Sequence, residues 1–435
     1  MLTSGKHMEK EPLERLEMKI PSAPSKNKER LKIFVSVYAC EPNLGSEIGV
    51  GWHWMLEMSK YFDLWVLTRE SNRHTIEPWI AAHPEYAHIH WLYYDWPKWA
   101  RCWKKGLRGV RTYYNLWQIS TNRIVKRTMQ ENDIKIFHHL TYGNALWKVS
   151  SYGQKQFFIW GPVGGLETVP IEFSKHYGLR NRILESVRRM VVTLLPLNFG
   201  LKRRCQRADL ILCKTAITRD RLPNWCRYKA AIQTDVAVDS LTDTVKTNHV
   251  KDDILRLITV GRLDSWRGFD LCIESLAEAL KEKKGILLTI VGNGSDELRL
   301  RNLAKSLDVS QHVNFAGRVS ADEYRRLMLE SDVVVNASLK EGAVTVSFDS
   351  MAIGKPLICI DTTGYTRYYD NNYSLKIPLL DRKQTILYLK DAIVSMTDEP
   401  LRIEMGKRNY EIGQQLTWEE RGKEIVSLFN HYLHL

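Results

Sequence analysis

Short apolar runs recur along this chain, each followed by a turn-forming segment and then by residues at helical spacing. Residues 31–38, Leu-Lys-Ile-Phe-Val-Ser-Val-Tyr, predict a buried first strand. A loop rich in Gly and Pro spans 39–49, and Gly51-Trp52-His53-Trp54-Met55-Leu56 opens a helix expected to run to Lys60. Strands are predicted over 63–68, 89–92, 134–139, 156–160 and 208–213, the last of these closing the first half. A polar stretch, 240–253, reads as a linker, after which the pattern restarts. Strands at 255–260, 287–291, 313–316, 332–337 and 356–360 alternate with helices that include 271–281 and 297–306. Such alternation predicts parallel α/β sheets, and two doubly wound units in tandem would face each other across a cleft at the carboxyl ends of their strands.

The expected division is a disordered leader (1–29), a first Rossmann-like domain (30–239), a second (240–415) and a final helix (416–435) packing back on the first. A length of 435 residues suits two cores. No apolar run approaches the ~20 residues that a membrane span needs, and the first residues lack the apolar core of a signal peptide. The seven cysteines are scattered without any Cys-x-x-Cys, which argues against a disulfide framework or a zinc site and for a reducing cytoplasm. Charge is uneven. Residues 1–240 hold 37 basic and 22 acidic side chains and 12 of the 14 tryptophans, whereas residues 241–435 hold 26 and 28. A basic, Trp-rich half therefore faces something anionic.

Candidate chemistry lies at predicted strand ends. Gly261-Arg262-Leu263-Asp264-Ser265-Trp266-Arg267-Gly268 follows the strand at 255–260. Two permanently charged, planar forks there can clamp a diphosphate, helped by backbone donors at the next helix start. Glu341-Gly342-Ala343-Val344-Thr345 and Asp349 follow the strand at 332–337 and precede Gly354-Lys355-Pro356. Gly45 and Ser46 lie in the loop from Glu41 to Trp52, where backbone N–H groups could meet a phosphate or sugar. His138 and His139 end a strand expected to point into the cleft, while Asn293-Gly294 and Gly317-Arg318 are further strand-end turns.

Together these motifs resemble the retaining glycosyltransferases of family 4 (glycosyl transferases group 1) over about residues 31–435. The resemblance implies the GT-B fold and a nucleoside-diphosphate sugar as donor. It implies Arg262 and Arg267 on the diphosphate, Glu341 on the donor sugar, and Gly342, Ala343, Val344 and Thr345 at the sugar and phosphates. Asp349 would take the ribose hydroxyls, His138 or His139 would stand near the anomeric carbon, and Asn293 and Gly294 would lie near the base, with Arg318 at another matching turn. Four departures stand out: Arg267 in place of lysine, Asp349 in place of glutamate, Ala343-Val344 in place of Phe-Gly, and Arg367 in place of the glutamate of Gly-Gly-x-x-Glu. No Asp-x-Asp pair occurs, so neither a metal nor any other cofactor is expected.

The function expected is sugar transfer to a glycan or lipid-linked acceptor in cell-surface polysaccharide synthesis. A GT-B binding protein whose chemistry has lapsed is the alternative. Nucleic acid is not expected, because the tryptophans lie beside apolar runs rather than in a recognisable binding motif. Two stretches, 96–117 and 188–204, mix Trp or aliphatic residues with Lys and Arg. They predict peripheral docking of the basic first domain on an anionic membrane, at the inner face of the cytoplasmic membrane.

Overall fold

The computed structural model describes residues 30–43, 45–104, 108–150, 156–239, 253–340, 344–362, 364–369 and 375–433. The expected leader and nearly all of the expected linker lie outside them. The first sheet contains β1 (Lys32–Ser36), β2 (Asp63–Arg69), β3 (His90–Tyr94), β4 (Ile136–His139), β5 (Phe157–Val163), β6 (Leu210–Cys213) and β7 (Ala230–Ile232), in the order β3-β2-β1-β4-β5-β6-β7. The second contains β8 (Leu255–Val260), β9 (Ile286–Val291), β10 (Val313–Gly317), β11 (Val333–Asn336), β12 (Leu357–Ile360) and β13 (Lys376–Ile377), in the order β10-β9-β8-β11-β12-β13. Every paired strand is parallel.

One expectation fails here. The first sheet does not close at 208–213, because β7 pairs with β6 beyond it. Three residues of Ala-Ala-Ile are too short and too weakly apolar to announce a strand. Elsewhere the long apolar runs became strands because both faces of these sheets are covered. Ile33, Val35 and Val37 pack into one core cluster, and Phe34 and Tyr38 into another on the opposite face. Strand order reverses between β1 and β4, and again between β8 and β11. In sheets of this kind ligands bind at those switch points, outside the carboxyl ends of the strands.

Gly51, inside the first helix, is glycine for a steric reason. A Cβ on Gly51 would lie 2.1 Å from the Ala39 carbonyl oxygen and 2.9 Å from Val37 Cγ1. Only glycine lets the Ser46–Ser59 helix lie so close to the segment that leaves β1.

The last helix, Trp418–Leu433, crosses to the first domain. Its Phe429 is fully buried, with its ring 5.9 Å from Phe62 and 5.6 Å from His138. Trp418 stacks on His53 at 4.8 Å. The crossing is fixed by a buried guanidinium. Arg421 donates to Thr234 Oγ1 (2.8 Å), the Val236 carbonyl (3.4 Å) and Tyr368 Oη (3.3 Å), and it pairs with Glu424 at 2.5 Å. Arg367 adds a tie to the Ile232 carbonyl at 3.2 Å.

Phe429→Ala is expected to cost about 3–5 kcal/mol, the usual loss for deleting a buried aromatic ring. Hydrogen exchange should then rise in the Trp418–Leu433 and Ser46–Ser59 helices before the second sheet; a uniform rise throughout would contradict this division.

Candidate functional site

The loops that leave the switch points open onto one cleft of about 820 Å³ between the two sheets. The second domain contributes Gly261, Arg262, Trp266 and Arg267 after β8, Lys340 after β11, and Val344, Thr345, Val346 and Asp349 from the start of the next helix. Gly268, at φ +70°, lets the first of these loops nest on the second, since a Cβ would stand 2.1 Å from the Ala337 carbonyl oxygen. The Leu339 amide donates to the Trp266 carbonyl at 3.0 Å and completes that seam. Arg262 is exposed and paired with Asp264 at 2.6 Å, while the Arg267 guanidinium lies 4.8 Å over the Trp266 ring. The Thr345–Ala352 helix begins at the cleft, and a helix start leaves backbone N–H groups without intrahelical partners.

Asp349 accepts a 2.5 Å hydrogen bond from Tyr324 Oη, and both side chains line the cleft. Desolvation pushes its carboxyl up to about 7; the Tyr324 hydroxyl works against that rise and Asp239 adds to it. Lys340 pairs with Glu185 of the Leu179–Thr193 helix, which belongs to the first domain. Burial pulls the Lys340 amine down to about 8, with Arg188 adding to the fall and Glu185 opposing it. Asn181 of the same helix donates to Ser265 Oγ at 2.8 Å, a second bond across the seam.

The first-domain wall carries Glu47, Arg111, Tyr142, Asn144, Trp147, Glu167, Arg188, Lys214 and Asp235. Its carboxylates are internally engaged. Asp235 lies 2.5 Å and Glu47 3.5 Å from Lys214 Nζ, and Glu47 also accepts from the Tyr142 amide at 2.9 Å. Burial lowers the Lys214 pKa, but these two carboxylates outweigh it and hold the amine protonated. Glu167 accepts from Thr215 and Thr218 at 2.6 Å each and from the Gly165 amide at 2.9 Å. These bonds override the burial that would raise its pKa.

The residues expected from the sequence divide into three groups. Gly261, Arg262, Arg267, Val344, Thr345 and Asp349 come together on the cleft. Glu341, Gly342 and Ala343 lie outside the described residues. His138, His139, Gly45, Asn293, Gly294 and Arg318 do not line it, and Glu47 and Val50 of the first helix take the wall there. The histidines are the main correction. Both are buried, because β4 is covered on each face and its alternate side chains enter the two core layers. His138 donates from Nε2 to the Gly161 carbonyl at 2.7 Å and lies between Trp54 and Phe429. His139 Nε2 sits 2.9 Å from Tyr114 Oη. Burial lowers them to about 4 and about 3, so both are neutral at pH 7. Arg367, the expected departure, ties to the Ile232 carbonyl rather than to the cleft.

Sequence reasoning assigned no role to Lys214, Asp235, Trp147, Tyr324 or Lys340, and it read Arg188 only as part of a membrane-docking stretch. The only available signal was position, since Lys214 directly follows β6 and Lys340 directly precedes Glu341.

Residues 242–411 match the family model of glycosyl transferases group 1. Over 213 residues the chain is 26% identical to the lipopolysaccharide core biosynthesis glycosyltransferase LpsE of Rhizobium meliloti, covering 47% of this chain and 60% of that one. The two-sheet frame is similar to the lipopolysaccharide outer core galactosyltransferase WaaB, with TM-score 0.56 and 13% identity over 93% of this chain and 99% of that one. It is equally similar to Anabaena HepE in complex with UDP and glucose, with TM-score 0.56 and 14% identity over 92% and 100%. The fold is that of the GT-B glycosyltransferases. The chain spans about half the length of the curated relatives that it matches.

The raised pKa of Asp349 has a stability consequence with a definite sign. Its contribution is fully present below the unfolded value near ~4 and is lost as pH rises through the folded value of about 7. Asp349→Asn is therefore expected to raise the melting temperature of the ligand-free protein at pH 8 and to leave it unchanged at pH 4. The same gain at both pH values would sink the assignment.

Proposed function

We propose that this chain, with its glycosyl transferases group 1 match over residues 242–411 and its GT-B fold, is a metal-independent retaining transferase. It moves a hexose-like sugar from a nucleoside diphosphate to a glycan or lipid-linked acceptor in cell-surface polysaccharide synthesis. The observation that carries this reading is the convergence of Arg262, Arg267, the Val344–Thr345 helix start and Asp349 on one cleft. Arg262 and Arg267 take the diphosphate, together with the backbone donors at the helix start. Asp349, held by Tyr324, takes the ribose hydroxyls, and Glu341 takes the hydroxyls of the donor sugar. As the glycosidic bond breaks, negative charge grows on the diphosphate, where fixed cations and dipoles stabilise it. The acceptor hydroxyl attacks from the leaving-group face, so no separate base is required.

Arg262→Ala and Arg267→Ala are each expected to cut turnover about a hundredfold with the fold intact, and EDTA is expected to change nothing. Donors are first sorted by thermal stabilisation with UDP-, GDP- and ADP-sugars, since a ligand at 100 times its Kd adds ~2.7 kcal/mol. Near-native turnover in both variants, or a strict divalent-ion requirement, would remove the mechanism.

The second part of the reading is membrane docking. Among the described residues no helix is long and apolar enough to cross a membrane. The Leu179–Thr193 helix nevertheless turns Ile183, Leu184, Val187, Met190 and Val191 outward, and Leu184 and Met190 are 55% and 56% exposed. Leu194, Leu197 and Phe199 continue this surface beside Lys202 and Arg203. In the other stretch Trp117 is buried and Trp96 binds Ser120, so Trp99 and Trp103 are the exposed tryptophans. Apolar side chains flanked by cations suit the interface of an anionic bilayer, each cation adding ~1 kcal/mol. The protein should sediment with vesicles containing anionic lipid at low salt and be released at high salt; equal binding to neutral vesicles would contradict docking of this kind.

A further inference from the structure

We propose that the first-domain wall of the cleft is a subsite for a phosphate-bearing sugar, with Arg111 and Arg188 taking the phosphate and Trp147 the pyranose ring. This deepens the transfer reading, on which it rests, by naming the chemical class of the acceptor.

Two cations of the cleft have no acid to meet them. Lys214 is matched by Asp235 and Glu47, and Lys340 by Glu185. On the second-domain wall, Arg262 and Arg267 belong to the donor diphosphate. Arg111 and Arg188 remain. Among the described residues no carboxylate lies within salt-bridge distance of either one, and the nearby acids Glu47, Asp235 and Glu167 already have internal donors.

Arg188 is not a floating surface cation. Its Nε donates to the Glu167 carbonyl at 2.7 Å and one terminal nitrogen donates to the Gly165 carbonyl at 3.0 Å. Those bonds fix the plane of the fork without neutralising it. Its charge is felt by its neighbour, since Arg188 contributes to the lowered pKa of Lys340. Arg111 is exposed, with its guanidinium 6.0 Å over the Trp147 ring. Trp147 is only partly buried and is held by Tyr114 at 5.3 Å and Tyr142 at 5.8 Å. A rigid aromatic plate with one guanidinium fork over it and a second lining the same cleft fits a ring with an anionic ester, because a planar fork meets phosphate oxygens two at a time. A neutral sugar would use the plate and leave both charges unmet. The phosphate could sit at the anomeric carbon, as in a lipid-linked sugar, or elsewhere on a phosphorylated glycan.

The experiment is isothermal titration of the UDP-saturated protein with methyl glucoside, glucose 1-phosphate and glucose 6-phosphate, repeated without nucleotide. Phosphorylated sugars are expected to bind about tenfold tighter than methyl glucoside or better, as a charge-assisted pair implies. Arg111→Gln and Arg188→Gln should each remove most of that preference, and Arg188→Lys, which keeps the charge but loses the fork, should keep only part of it. A stronger response to the 1-phosphate assigns the anomeric source, and a stronger response to the 6-phosphate assigns the phosphorylated glycan. Equal affinity for neutral and phosphorylated sugars, no binding of either phosphate, or a preference that survives both glutamine variants overturns the subsite. Failure of UDP to bind falls on the donor reading instead, because the nucleotide-free titrations still decide this one.

Discussion

The Arg421 guanidinium is the point on which the relation of the two domains depends. Burying a charge is costly unless it is paired and hydrogen-bonded, and Arg421 meets most of that demand through its two terminal nitrogens, which gather acceptors from three parts of the chain while Nε has none. Thr234 and Val236 lie where the chain leaves the first sheet, Tyr368 belongs to the second domain, and Glu424 lies on the crossing helix itself. None of these segments can shift alone without leaving a buried donor unmet. The walls of the cleft stand on two rigid sheets, so fixing the crossing fixes how those walls face each other.

Within that frame the two walls treat their acids differently. On the first-domain wall, Glu47, Asp235 and Glu167 are bonded to a lysine, hydroxyls and backbone amides. On the second, Asp349 has one phenol donor against strong desolvation, and it sits at the edge of losing its proton. The first set shapes the wall. The second can change its protonation when hydroxyls or cations arrive, which suits a group that meets a ligand.

Much of the fold was legible because a strand covered on both faces must be apolar almost throughout, and such runs stand out in β1, β8 and β11. The cations Arg262 and Arg267 were legible for a related reason: a strand end followed by Gly-Arg puts them at a switch point. β7 was not, being three small residues supported by its neighbour. The histidines misled because a position at a strand end says nothing about which layer the side chain enters, and both layers flanking β4 are core. The first-domain wall was the least legible part. Tyr142 and Glu47, which are bonded there, are 95 residues apart, and no local pattern can announce a pair that only the folded chain brings together.

The Leu179–Thr193 helix has one edge in the seam, through Asn181, Glu185 and Arg188, and its other edge bare and apolar. Among the described residues no further layer of protein separates the two. An α-helix with its side chains is ~10 Å across, so a surface resting on the outer edge would lie about one helix diameter from Lys340. A substrate anchored in that surface would need no long tether to reach the cleft, and the thickness of a single helix would set the depth at which its reacting sugar is presented.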